Sequence, residues 1–353
     1  MAKIKTEIFF CPIMQNISKY KKNGILAVVT SLLLVVASCK TGTYFYGKKL
    51  PGYIEVVSDL SIKKIDLSSG KREDVTKRGP FEVMNFDLSQ NGMDRIIALT
   101  KMGKGKTELV LFTDGKETRT LASKNHVTHP SFSPQGDTIS YIFQKYKKRK
   151  TKYWLNDCYL YLVNIDGSMD RKASQSSIRC FPKASWFPDG RRLAVGTKGL
   201  SIIVIDLDKG TEGKVIDFGT APTVSNDGKK IAYLSKNVDA ATKKMMSDFQ
   251  NITVEAYYNK SYLKGYEGKE GAKKFSTLFL KNSIYVYDIS TGENKRLTGD
   301  MIIETPILWS PDDNYLVYDE RLGEAGDIYA VEIETGKRFK VTSEHGRVMV
   351  WRK

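Results

Sequence analysis

Chemistry needs side chains that ligate, attack or move protons, and this chain offers few. Its three histidines are His126, His129 and His345. Three imidazoles could hold a divalent metal, and His126-x-x-His129 supplies two of them on one loop. The competing reading is turn or surface histidines. No Gly-x-Ser-x-Gly elbow occurs, which excludes the peptidases and esterases built on that nucleophile. The densest charge lies at Lys145, Lys147, Lys148, Arg149, Lys150 and Lys152, beside Tyr146, Tyr153 and Trp154. Cations interleaved with aromatics suit an anionic ligand or a glycan surface; a solvated loop is the alternative. No residue set qualifies as catalytic, and no cofactor is expected.

Four cysteines remain to be assigned, and the N-terminus assigns two of them. Lys19, Lys21 and Lys22 precede a charge-free stretch whose apolar heart is Ile25–Val36. That stretch is short for a bilayer span and suits the core of a signal peptide. It ends in Val36-Ala37-Ser38-Cys39. Small residues before a cysteine resemble the lipobox of bacterial lipoproteins. The resemblance implies cleavage after residue 38 and a diacylglycerol, palmitate among its acyl chains, on Cys39. Translation starts at Met1 or Met14. Lys40, where an aspartate would mark retention, implies the outer membrane of a two-membrane cell, facing the periplasm. Cys11 leaves with the signal. Cys158 and Cys180 stay as an even pair in an oxidising compartment, either as a disulfide or as two buried thiols.

Length and composition fit a folded body. The chain has 353 residues, 41% hydrophobic and 27% charged, enough for one large domain or two ordinary ones. Residues 1–38 hold five lysines and one glutamate, so +12 of the formal +16 belongs to the remainder. A basic body favours anionic partners.

The elements that must position these residues come from an internal repeat. Phe132-Ser-Pro-Gln-Gly136, Trp186-Phe-Pro-Asp-Gly190, Val224-Ser-Asn-Asp-Gly228, Trp309-Ser-Pro-Asp-Asp313 and Leu88-Ser-Gln-Asn-Gly92 each precede a short apolar run. Each reads as strand, tight turn, strand, with proline presetting a dihedral and Asp or Asn bonding the turn. Second turns follow at Gly70, Gly115, Gly167, Gly210, Gly292 and Gly336. The two hairpins make four antiparallel strands, A to D, which is a propeller blade. Trp351 occupies the slot of Trp309 in a sixth unit that the C-terminus starts. Its B, C and D strands are Tyr53–Val57, Ser61–Leu67 and Arg72–Thr76. The expected fold is therefore all-β: a six-bladed β-propeller over residues 53–353, its closing blade shared by the two ends of the chain. Residues 1–38 are the signal peptide and 39–52 a lipidated tether.

The Trp-Ser-Pro-Asp and Trp-Phe-Pro-Asp-Gly motifs, with their tyrosine-bearing downstream strands, resemble the TolB-type propeller repeats, which are WD-repeat-like. The resemblance implies a fold and no particular function, because those residues build turns and blade cores. The Asp and Gly of the repeats have turn roles rather than catalytic ones.

Two B–C connections are long, at 144–157 and 236–281. The second carries Ala241, Met245, Phe249, Ile252 and Ala256 at helical spacing, with Asp239 as N-cap. Both leave on the face of the D–A loops, where all three histidines are placed. The tether enters on the opposite face. The resulting expectation is a non-catalytic scaffold that binds an envelope protein or a glycan while lipid holds it to the membrane. The alternative is a metal-dependent lyase or hydrolase acting on an acidic sugar through His126, His129 and His345. No nucleic-acid partner is expected.

Overall fold

The computed structural model describes residues 50–58, 61–75, 83–89, 97–103, 106–113, 116–122, 126–149, 152–180, 183–236, 281–322, 325–342 and 347–352. In chain order the strands begin with β1 (Tyr53–Ser58), β2 (Ser61–Asp66) and β3 (Arg72–Asp74). Then come β4 (Val83–Leu88), β5 (Ile97–Gly103), β6 (Lys106–Thr113) and β7 (Lys116–Ala122), and β8 (Val127–Phe132), β9 (Thr138–Arg149), β10 (Lys152–Asn164) and β11 (Arg171–Lys172). They continue with β12 (Ser185–Trp186), β13 (Arg192–Gly196), β14 (Ile202–Asp206) and β15 (Thr211–Ile216), and with β16 (Thr220–Val224), β17 (Lys230–Ser235), β18 (Lys281–Asp288) and β19 (Asn294–Arg296). The last are β20 (Met301–Trp309), β21 (Tyr315–Leu322), β22 (Ala325–Glu332), β23 (Arg338–Thr342) and β24 (Arg347–Arg352).

All strand pairings are antiparallel, and no helix occurs among the described residues. Strands β4–β7, β8–β11 and β12–β15 form four-stranded sheets, here units 1 to 3. Units 4 (β16–β19) and 5 (β20–β23) merge because β18 also pairs with β20 at Asn282 and Met301. Unit 6 has the order β24-β1-β2-β3, so the last strand lies beside the first, Ile54 opposite Trp351. The first strands pack in sequence, β4 on β8, then β12, β16, β20, β24 and back to β4.

Period-two alternation explains how each sheet serves two neighbours. Along β21, Tyr315 and Val317 join a core with Ile54, Val56 and Trp351 of unit 6. The intervening Leu316 and Tyr318 join a different core with Ala232, Ile284 and Val286 of unit 4. The same sharing links units 1 and 2 through Leu109, Leu111 and Ile139, and units 3 and 4 through Phe187, Ala194 and Ile231. A strand buried on both faces must be apolar at nearly every position, as Lys230–Ser235 and Arg192–Gly196 are at their centres.

The turns work as their residues require. In Ser225–Gly228 the Gly228 N–H donates to Ser225 O at 2.9 Å, and Asp227 Oδ1 accepts the Lys229 N–H at 2.9 Å. Gly136, Gly190 and Gly228 sit at positive φ there, and Asp313 takes the same slot at φ 57°. Aspartate tolerates that region because its short side chain bonds locally.

Two expectations need correcting. Leu50 is fully buried in the core of units 5 and 6, and Trp351 Nε1 donates to Pro51 O at 2.8 Å. The folded body thus starts before Tyr53 and takes the end of the expected 39–52 tether, because an apolar Leu gains by burial. The 144–157 segment is a basic, aromatic hairpin that lengthens β9 and β10, whose pairing continues to Arg149 opposite Lys152. Cys158 lies inside β10. His129 lies within β8 rather than in a connecting loop. Residues 1–49, with Cys39, and the helical stripe of the 236–281 insertion lie outside the described residues.

Candidate functional site

The first strands of all six units share one cavity of about 390 Å³. Its wall includes Asp87 of unit 1, Phe132 of unit 2, Trp186 of unit 3, Val224 of unit 4, Trp309 of unit 5 and Trp351 of unit 6. These are the repeat's slot residues, or the neighbour of one in the case of Asp87, so the motif itself lines the cavity.

Several polar groups of the wall bond to neighbouring units. Trp186 Nε1 donates to Ser131 O at 3.1 Å, and Trp309 Nε1 to Thr223 O at 2.9 Å. Each indole therefore clips its own unit to the preceding one. Ser185 Oγ accepts the Val224 N–H at 2.9 Å. Asp87 ties three units together: its Oδ2 accepts the Phe132 N–H at 2.9 Å and its Oδ1 accepts from Lys183 Nζ at 3.0 Å. Both partners of that ion pair are largely buried, at 16% and 11% side-chain exposure, so breaking one side leaves an uncompensated charge.

The first strands bend into the cavity through bulges. In β8, His129 and Pro130 stand against the single residue Tyr141 of β9; in β16, Ala221 and Pro222 stand against Tyr233 of β17. His129 and Ala221 take positive φ, 52° and 56°. A non-glycine residue there carries backbone strain of about 1–2 kcal/mol. Proline cannot donate to a ladder, so a bulge is where it fits.

The expected site residues are dispersed. His129 is buried, with Nδ1 2.8 Å from Thr128 Oγ1. His126 is half-buried, and burial lowers its pKa below the usual imidazole value. His345 lies outside the described residues. Among the described residues no group of three His, Cys, Asp or Glu could hold a metal ion. Cys158 and Cys180 are joined by a disulfide with Cα atoms 5.3 Å apart, and Ile178 bridges Cys158 of unit 2 to Thr197 of unit 3.

The base of the β9–β10 ribbon is clamped. Asp157 Oδ1 accepts from Lys198 Nζ at 2.6 Å and from Ser177 Oγ at 3.1 Å. Burial opposes ionisation of Asp157, but Lys198, Ser177 and the nearby Lys145 outweigh it and hold the carboxyl below the ordinary aspartate range. Lys145 is exposed opposite Asp157; Lys147, Lys148, Arg149 and Lys152 follow in the paired strands. Lys150 and the ribbon tip lie outside the described residues.

Two features of the cavity were missed from sequence. Asp87 and Lys183 stand 96 positions apart, and neither belongs to a motif. The bulges did leave a signal: Pro130 and Pro222 each stand two residues before a slot, and Pro306 three.

No protein-family model matches the chain, and no curated protein matches it by sequence. Solved structures do. TolB from Acinetobacter baumannii superposes with a TM-score of 0.61 at 17% identity, over 85% of this chain and 66% of that one. A putative TolB from Agrobacterium tumefaciens gives 0.56 at 14% identity, over 85% and 92%. A chain of a nidogen/laminin complex gives 0.55 at 9% identity, over 84% and 95%. At such identities the likeness shows the fold alone: a TolB-like β-propeller.

Proposed function

We propose that this chain is a lipoprotein of the cell envelope whose body is a closed six-bladed propeller acting as a non-catalytic scaffold for an envelope protein or glycan. Cleavage after residue 38 and acylation of Cys39 would hold it to the outer membrane, facing the periplasm. The return of first-strand packing from β24 to β4 and the β24–β1 ladder support closure.

The observation that carries the scaffold reading is the state of the cavity wall. The Trp186 and Trp309 indole N–H groups, Asp87 and Lys183 serve to join units, so these polar groups are consumed in holding the ring. The elaborations lie elsewhere. Ser235 of β17 pairs with Ser283 of β18, so the long insertion leaves and returns at the same end of its strand pair as the ribbon does. The chain enters β1 at the other end. Partner contact therefore falls on the elaborated face, away from the tether.

Cross-linking and recovery from membranes tests this. The full chain should capture a partner that is lost when 236–281 is replaced by a short turn. Unchanged capture sinks the face assignment. Labelled palmitate should enter the chain and be absent from Cys39→Ala. A stoichiometric divalent metal in the purified protein, lost on His129→Ala, would overturn the non-catalytic reading.

A further inference from the structure

Among the described residues the β9–β10 ribbon is longer than the other pairs of second and third strands. Its strands have 12 and 13 residues. The second and third strands of the other units have five to eight. At about 3.3 Å per residue the excess projects roughly 20 Å beyond the sheet. The neighbouring strands do not follow it. β8 stops pairing at Val127 opposite Phe143, and β11 pairs only with Tyr161 and Leu162. Between Lys145 and Asp157 no third strand pairs with the ribbon among the described residues, and an unpaired strand edge accepts another backbone.

Composition says what kind of backbone fits. Residues 145–149 and 152–155 hold five cations and no Asp, Glu, Asn or Gln. Lys and Arg donate hydrogen bonds and cannot accept them. A sugar hydroxyl is met by acceptors as well as donors, which this segment lacks in its charged groups. An anionic group needs donors only. A second copy of the ribbon is repelled by like charge, the way lysines guard natural sheet edges. Lipid phosphates would match the charge but leave the edge N–H and C=O groups unused. An extended acidic polypeptide matches both at once.

We propose that the ribbon is a docking element to which an acidic, extended segment of a partner protein adds as a further β-strand. This rests on the scaffold reading above and names the chemistry of its partner. The clamp of Asp157 by Lys198 and Ser177 gives the ribbon a fixed base, so the added strand meets a preformed edge.

The test uses the detergent-solubilised full chain and a labelled short peptide of alternating glutamate and threonine. Binding is expected, weakening as salt rises. The triple variant Lys147→Glu, Arg149→Glu, Lys152→Glu should weaken it about tenfold or more with an unchanged melting temperature. N-methylation of alternate peptide bonds should weaken it about tenfold as well, because it removes the edge donors. Equal binding of the N-methylated peptide overturns strand addition. Absence of peptide binding, or equal competition by phosphatidylglycerol vesicles or by polygalacturonate, overturns the choice of partner. If the triple variant still captures the cross-linked partner from membranes, the ribbon proposal fails and the scaffold reading stands.

Discussion

Units 2 and 4 can be set against unit 5, because all three carry the same pair of stacked tyrosines. Tyr141 lies on Tyr161 and Tyr233 on Tyr285, each with ring centroids 5.6 Å apart; Tyr318 lies on Tyr329 at 6.2 Å. The first member of each pair stands opposite a first-strand bulge. The fourth strand then decides the fate of its hydroxyl. In unit 2 Tyr141 donates to Asp170 Oδ1 at 2.5 Å, and in unit 4 Tyr233 donates to Asn294 Oδ1 at 2.8 Å. The matching position in unit 5 is Arg338, which offers no acceptor. It pairs with Glu320 and lies over the Tyr329 ring. The buried Tyr318 hydroxyl has no hydrogen-bond partner among the described residues. Burial raises the pKa of all three hydroxyls, Tyr233 to about 12. The ring stack is thus the shared requirement, and the hydrogen bond is a local addition that a single substitution can withdraw.

The largest effect should be common to all three. Tyr141→Ala, Tyr233→Ala and Tyr318→Ala each remove a buried ring and should cost about 3–5 kcal/mol in denaturant unfolding. A much smaller loss for Tyr318→Ala would break the claim that the ring dominates. Unit 2 differs from the others by its covalent brace. Cys158→Ala with Cys180→Ala should cost about 3 kcal/mol, and reduction of the wild type should match it. The sharpest contrast is smaller. Tyr141→Phe and Tyr233→Phe each remove one hydrogen bond to an exposed acceptor that water can serve instead and should cost about 0.5–1.5 kcal/mol, whereas Tyr318→Phe should be neutral or stabilising. Equal losses at all three sites would mean that the hydroxyl of Tyr318 is satisfied.

Acid gives the weakest separation, because lowered turn aspartates recur in units 2 to 6. Hydrogen bonds from Ser68 and Ser69 lower Asp66 to about 2, and Asp157, Asp227, Asp288 and Asp312 are also lowered. A depressed carboxyl stabilises the fold above its unfolded pKa, near 4, and that contribution is lost as pH falls toward 2. Stability followed by circular dichroism should therefore drop between about pH 5 and pH 2. A flat profile would argue that these turns bond equally well in the unfolded chain.

Much of the fold was legible because its signals are local. Asp206-Leu-Asp-Lys-Gly210 and Asp288-Ile-Ser-Thr-Gly292 encode a turn within five residues: the first aspartate accepts backbone N–H groups and the glycine takes positive φ. Trp351 could be placed by its distance from Trp309. The site was less legible because its parts meet only after folding. Asp87 finds Lys183 across an entire unit, and nothing near either residue marks the pairing. Cys158 and Cys180 were open to a disulfide or to two thiols; the structure sets Cys158 opposite Ile178, and the disulfide reaches Cys180 past the end of the short β11. His129 was expected in a D–A loop, ahead of its blade's first turn, and Pro130 follows it. A bulge accepts that proline without ending the strand.

The ladder between β24 and β1 also sets an order of events. Pro51 and Trp351, joined by a hydrogen bond, are 300 positions apart. A ribosome adding about 5–20 residues per second needs tens of seconds to cover that distance. Through that interval β1 waits with an unpaired edge, and Leu50, Ile54 and Val56 wait without the tryptophan that covers them. Units 1 to 5 can assemble as they emerge, but the β24–β1 ladder forms only when β24 arrives. Until then the nascent protein carries an open, apolar strand edge, and any factor that shields it during that time must cover its beginning rather than its end.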